Sequence, residues 1–167
     1  MDDSQVVALA ARFGKLLLER QLTAVTVESC TGGLIARALT ETAGSSAWFD
    51  RGWVTYSNQA KTQMVGVQAD ALQRFGAVSE QVALQMAGGG LACSQAGIAL
   101  AVTGIAGPTG GSPEKPVGTV CFGWAVRGGQ AHSQTVRFVG DRTQVRLQAA
   151  QHALACAMQI LADGSAA

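Results

Sequence analysis

Apolar residues Val6, Ala10, Phe13 and Leu17 recur at steps of four, three and four, the stripe of an amphipathic helix that buries one face. Ser4 is the expected N-cap, and the pattern ends near Arg20. Residues 23–28 then change character to a short run rich in Val and Thr, which reads as a strand. Ser29-Cys30-Thr31-Gly32-Gly33 follows, and helical spacing returns at Leu34, Ile35, Ala38 and Leu39. After a loop or short helical turn at 44–50, residues 52–56 repeat the arrangement as a second strand, with a helical segment running through Lys61 and Met64.

Residues 70–75 suggest a small helix, and Ser79 caps a longer one carrying Val82, Leu84 and Met86. Gly88, Gly89 and Gly90 interrupt that second pattern. Each costs about 1 kcal/mol relative to Ala inside a helix, so the helix either frays there or packs very closely against a neighbour. Residues 98–102 form a continuous apolar run, the mark of a central strand buried on both faces. Residues 103–118 hold all three prolines of the chain, and a loop of that length without elements of its own is usually functional. Two strand-like runs, 119–126 and 131–139, flank Arg127-Gly128-Gly129-Gln130, whose glycines suit an antiparallel hairpin turn. Leu147, Ala150, Leu154, Ala157 and Leu161 mark the buried face of a last helix that begins near Asp141 and ends in a frayed tail. The alternation predicts an α/β fold: a three-layer α/β/α sandwich with a mixed, mostly parallel sheet and a C-terminal antiparallel hairpin. One domain is expected over 1–167, with its core at about 4–162.

Composition narrows the function classes. Hydrophobic residues make up 48% of the 167 and charged residues 14%, so the chain has ample core material. Twelve basic against eleven acidic residues leave a net charge of +1, which argues against a nucleic-acid binder and for a small ligand. No apolar run is long enough for a membrane span, and no segment resembles a signal peptide. Cys30, Cys93, Cys121 and Cys156 are scattered without a C-x-x-C pair, which fits a reduced, cytoplasmic setting. With only His132 and His152, far apart, neither a catalytic metal nor a cofactor is expected. Gly104, Gly107 and Gly110 match neither the Walker nor the dinucleotide spacing.

In open α/β sheets ligands sit beyond the carboxyl ends of the strands, which points to residues 29–33, 56–61 and 103–118. The Ser29 segment places hydroxyls at a strand exit where backbone N–H groups lack intrahelical partners. It fits a helix cap with packing glycines as well as a nucleophile and anion site. Tyr56 and Lys61 flank the neighbouring turn. A lysine made neutral by burial gives a Ser/Lys pair without histidine, whereas an exposed helical lysine beside a half-buried tyrosine is the plainer alternative. Cys30 is a candidate thiol with no histidine in its segment. Arg142 and Arg146, one helical turn apart, either hold a phosphate or form a solvated face.

Six segments, in order, resemble the CinA C-terminal domain family: Glu28-Ser29-Cys30-Thr31-Gly32-Gly33; Tyr56-Ser57-Asn58 with Lys61; Gly76-Ala77-Val78-Ser79; Ala101-Val102-Thr103-Gly104-Ile105-Ala106-Gly107-Pro108; Pro113-Glu114-Lys115-Pro116-Val117-Gly118-Thr119; and Gly140-Asp141-Arg142. The resemblance covers about 22–146 and departs from the family's pattern at Gly88–Gly90 and at Thr109. It implies a stand-alone amidase that converts nicotinamide mononucleotide to nicotinic acid mononucleotide and ammonia. The domain that precedes this one in competence/damage-inducible proteins has no counterpart in the sequence. Ser29 is then the expected nucleophile, Lys61 the base and Tyr56 the third member, with N–H groups of the Cys30, Thr31, Gly32 and Gly33 turn holding the oxyanion. Thr103, Gly104, Ile105, Ala106, Gly107 and Gly111 are expected to wrap the nucleotide, with Arg142 and Lys115 on its phosphate and Glu28 near the pyridinium or orienting the turn. A homo-oligomer is expected from the family's habit of self-association. The same loops also suit a nucleotide-binding module without catalysis, or a Ser/Lys hydrolase of another small amide.

Overall fold

The computed structural model describes residues 2–164. Its elements, in order, are α1 (Asp3–Glu19), β1 (Ala24–Glu28), α2 (Leu34–Thr40), a 3-10 turn (Ser45–Ala47), β2 (Phe49–Val54), α3 (Asn58–Val65), α4 (Ala69–Phe75), α5 (Glu80–Ala92), β3 (Ile98–Gly104), β4 (Thr119–Val126), β5 (Ala131–Arg137) and α6 (Arg142–Gly164). The frayed tail expected at the C-terminus lies outside the described residues.

The five strands form one sheet in the order β2-β1-β3-β4-β5. Alternate residues of the central strands face opposite layers. Ile98, Leu100 and Val102 join Phe13, Leu17, Val145 and Leu154 under α1, α2 and α6. Ala99 and Ala101 join Val65, Val82 and Met86 under α3, α4 and α5. The three-layer sandwich is therefore as the periodicity predicts. The sheet is not mostly parallel: β1 pairs parallel with β2 and β3, while β3–β4 and β4–β5 are antiparallel. The reason lies in the connection. A parallel neighbour needs a crossover, usually a helix, and the Pro- and Gly-rich loop after β3 supplies none.

Asp2, not Ser4, caps α1: its carboxylate accepts from Gln5 N, and the Gln5 side chain accepts from Asp2 N. This reciprocal box outcompetes the hydroxyl, which itself donates to Asp2. β5 also ends earlier than the expected Val139, at Arg137.

The glycine run does not fray α5. Gly89 faces the Val65 carbonyl so closely that a Cβ would collide with it, and a Cβ on Gly90 would sit 2.9 Å from Val27 Cγ2. These glycines let α5 approach α3 and the sheet, which keeps α3, and with it Lys61, seated against the strand ends. Gly88 faces open space. Gly88→Ala is expected to raise stability by about 0.5–1 kcal/mol, and Gly89→Ala to lower it by about 1–3 kcal/mol. Thermal unfolding of both variants checks this: equal shifts in one direction contradict the close packing.

Candidate active site

The parallel strands β1, β2 and β3 all end on one side of the molecule, with Glu28 in register with Val54 and with Val102. Two further backbone bonds extend that register past the strand ends: Ser29 N donates to Val102 O at 2.9 Å, and Thr55 N donates to Glu28 O at 2.8 Å. Ser29 is thereby fixed at the exit of β1 beside the β2–α3 turn. On that turn Ser57 caps α3 by accepting from Ala60 N at 3.0 Å. Lys61, one turn into α3, points back toward the sheet.

Lys61 is 1% exposed. Its Nζ contacts Thr55 O at 2.8 Å, Ser29 Oγ at 3.1 Å and Tyr56 O at 3.4 Å. Among the described residues it pairs with no carboxylate. Burial without a counter-charge disfavours the ammonium, so the Lys61 pKa falls below the ordinary lysine value, the nearby Cys30 thiol opposing in part. Lys61 Nζ donates to Thr55 O, Ser29 Oγ and Tyr56 O; an amine that has given up its proton has a lone pair to offer the Ser29 hydroxyl. Of the two alternatives for Lys61, the exposed helical lysine is excluded.

Cys30 is buried, and burial pushes its thiol pKa up to about 12, far from a nucleophilic thiolate. Glu28 does not reach toward a ligand. Its buried carboxylate accepts from Ile35 N and Ala36 N, both at 3.0 Å, and so ties the start of α2 to the end of β1. Gly32 and Gly33 adopt positive φ, +58° and +95°, which turns the chain sharply from Ser29 into α2. The Gly32 N–H donates to Ser29 O at 3.0 Å, so it is not free for a substrate; among the described residues the Cys30, Thr31 and Gly33 N–H groups have no backbone acceptor.

A cleft of about 220 Å³ brings together Ser29, Lys61, Tyr56, Thr103 and Arg142. Cys30, Gly104 and Ala106 also line it. Arg142 crosses its mouth, donating to Gly107 O at 2.9 Å and to the Tyr56 hydroxyl at 3.1 Å. Tyr56 therefore serves Lys61 through its main-chain carbonyl, while its ring hydroxyl serves Arg142. Arg146 does not join Arg142 at the mouth. It donates instead to Cys30 O at 3.1 Å and Thr31 O at 3.0 Å, behind the Ser29 turn.

Several expected contacts lie elsewhere. Lys115 Nζ donates to Phe75 O at 2.7 Å and lines an adjacent cleft with Glu80 and Glu114. The tight Ser112–Lys115 turn aims it there. Gly111 packs on Pro116 and Val117, and Ile105 uses its N–H on Thr119 O and its carbonyl on Gly118 N, continuing the β3–β4 ladder. Thr109 is exposed outside the cleft lining. Conversely, Asn58, Ala77 and Val78 line the cleft. Ala77 is held there because its carbonyl accepts from Thr103 Oγ1 at 2.9 Å. All three lie in segments that carried the family resemblance, but no role was assigned to them there. His152 packs beside Phe122 and bonds Gln134, on the far strand pair from Ser29.

Residues 6–161 match the CinA C-terminal domain family, nearly the whole of the chain. This chain belongs to that family. It is 51% identical over 154 residues to the nicotinamide-nucleotide amidohydrolase PncC of Escherichia coli (strain K12), covering 92% of this chain and 93% of that protein. It is 52% identical to the CinA-like protein of Akkermansia muciniphila over 139 residues, 83% of this chain but 34% of that longer protein. Among solved structures, the competence/damage inducible protein CihA from Agrobacterium tumefaciens superposes with a TM-score of 0.91 at 49% identity, covering 95% of this chain and 96% of that one. Among the described residues, no helix is long and apolar enough to cross a membrane.

Glu28→Gln leaves one oxygen for two amides and sets an NH₂ against an N–H, so it is expected to cost about 1–3 kcal/mol. Thermal or urea unfolding measures this; a neutral substitution contradicts the cap.

Proposed function

We propose that the protein hydrolyses the carboxamide of nicotinamide mononucleotide, giving nicotinic acid mononucleotide and ammonia. The observation that carries this reading is the 3.1 Å contact between Lys61 Nζ and Ser29 Oγ, with the lysine buried and without a carboxylate. The activity for which the 51% identical Escherichia coli relative is named supports the substrate.

Ser29 Oγ attacks the carboxamide carbon as its proton passes directly to Lys61 Nζ. The Cys30 and Thr31 N–H groups hold the developing oxyanion. When the C–N bond breaks, the Lys61 ammonium returns its proton to the leaving nitrogen, and ammonia departs from an acyl-Ser29 ester. Water, deprotonated by Lys61, then attacks the ester, and the Lys61 ammonium returns that proton to Ser29 Oγ as the acid leaves. Tyr56 keeps Arg142 at the cleft mouth, where the guanidinium exchanges its bonds to Gly107 O and the Tyr56 hydroxyl for the substrate phosphate. Thr103, Gly104 and Ala106 shape the pocket between. The four described cysteines are free, which suits a cytoplasmic enzyme. The enzyme acts as one domain within a homo-oligomer, a reading that rests on the resemblance to a self-associating family.

Incubation of the purified protein with nicotinamide mononucleotide, without added metal, is expected to release ammonia, and Ser29→Ala is expected to lower kcat by about 10³-fold or more. Near-normal release by Ser29→Ala contradicts the scheme. Tight binding of the mononucleotide with no ammonia marks a binding module instead.

A further inference from the structure

We infer that Arg146 is the positioning residue that sets the direction of the oxyanion-binding N–H groups. The inference rests on the hydrolytic reading above. Among the described residues, Arg146 Nε is the only hydrogen-bond donor to the Cys30 carbonyl, at 3.1 Å. Its Nη2 shares the Thr31 carbonyl, at 3.0 Å, with the Leu34 N–H. Gly107–Pro108 is the only cis peptide of the described chain, so both peptides of the turn are trans. In a trans peptide the carbonyl of one residue and the N–H of the next point in opposite directions. Holding the Cys30 carbonyl toward α6 therefore holds the Thr31 N–H away from α6, and holding the Thr31 carbonyl does the same for the Gly32 N–H. The latter closes onto Ser29 O at 3.0 Å; the former is left without a backbone acceptor.

Within the turn that plane is also spanned by the Gly32 N–H bond to Ser29 O, and Arg146 is the one side chain among the described residues that hydrogen-bonds to it. Thr31 has no part in it through its side chain, since its buried hydroxyl has no hydrogen-bond partner. Gly32 has no side chain to resist rotation, and a Cβ there would sit 3.3 Å from Arg146 Nη2, so guanidinium and glycine fit as a pair. Arg146 is rooted on α6 between Val145 and Leu147, both buried, and its half-buried side chain extends from a helix that the core holds still. Among the described residues its hydrogen bonds go to the Cys30 and Thr31 carbonyls and to none of the groups at the cleft mouth, so its effect falls on the chemical step more than on substrate capture.

Two readouts test this on Arg146→Ala and Arg146→Lys: steady-state ammonia release from nicotinamide mononucleotide, and the rate at which diisopropyl fluorophosphate labels Ser29. In the labelling step Ser29 Oγ bonds to phosphorus, fluoride leaves, and Lys61 takes the proton; the P=O oxygen needs the same N–H groups. Thermal unfolding and circular dichroism identify the temperature at which each variant is fully folded, and both rates are read there. Arg146→Ala is expected to lower kcat and labelling by about a hundredfold with KM within about threefold, the scale of one lost oxyanion donor. Arg146→Lys, able to reach one carbonyl, recovers part of both rates. A folded Arg146→Ala that labels Ser29 within about threefold of the wild-type rate, or one whose loss falls on KM, overturns the inference. Wild-type protein that is labelled at Ser29 but releases no ammonia overturns the substrate reading alone. Wild-type protein that is not labelled at Ser29 overturns both.

Discussion

A lysine amine buried beside a serine hydroxyl, with two main-chain carbonyls and no carboxylate for company, is the constraint around which the candidate site is organised. An ammonium taken out of water without a counter-ion costs several kcal/mol, and a group in that position gives up its proton sooner than bear the cost. The carbonyls of Thr55 and Tyr56 accept from the amine on one side, and Ser29 Oγ lies 3.1 Å away on the other. Burial thus lowers the Lys61 pKa, the condition the proposed base requires where no histidine is present.

That arrangement depends on the fold at three points. Parallel strands deliver the Ser29 turn and the β2–α3 turn to the same end of the sheet. Close approach of α5, permitted by Gly89 and Gly90, supports α3 from outside. Glu28 and Arg146 clamp the Ser29 turn from its two flanks, one through amides at the start of α2 and the other through carbonyls facing α6. None of these groups needs to touch a ligand to govern how Ser29 is presented to one.

The layers, the central strand and the hairpin were legible in the sequence because periodicity reports burial directly. Strand direction was not, since the turn from β3 into β4 depends on a loop whose path no pattern encodes. The Ser29 and Lys61 segments stood out by position at strand exits, yet only coordinates separate a buried lysine from an exposed one. Arginines one helical turn apart read as one anion site or one solvated face, but α6 sends Arg142 to the cleft mouth and Arg146 behind the turn. Lys115 looked like a phosphate ligand until its loop turned it to the end of α4. Long side chains on irregular backbone are where sequence spacing says least about contact.

The protonation state of Lys61 decides the account. Direct titration of its Nζ by ¹⁵N NMR in lysine-labelled protein, assigned with Lys61→Met, is predicted to give a midpoint clearly below the ordinary value of about 10.4. The amine then gains its proton only as the pH falls through that lowered midpoint. A Lys61 that titrates with the exposed lysines contradicts the account.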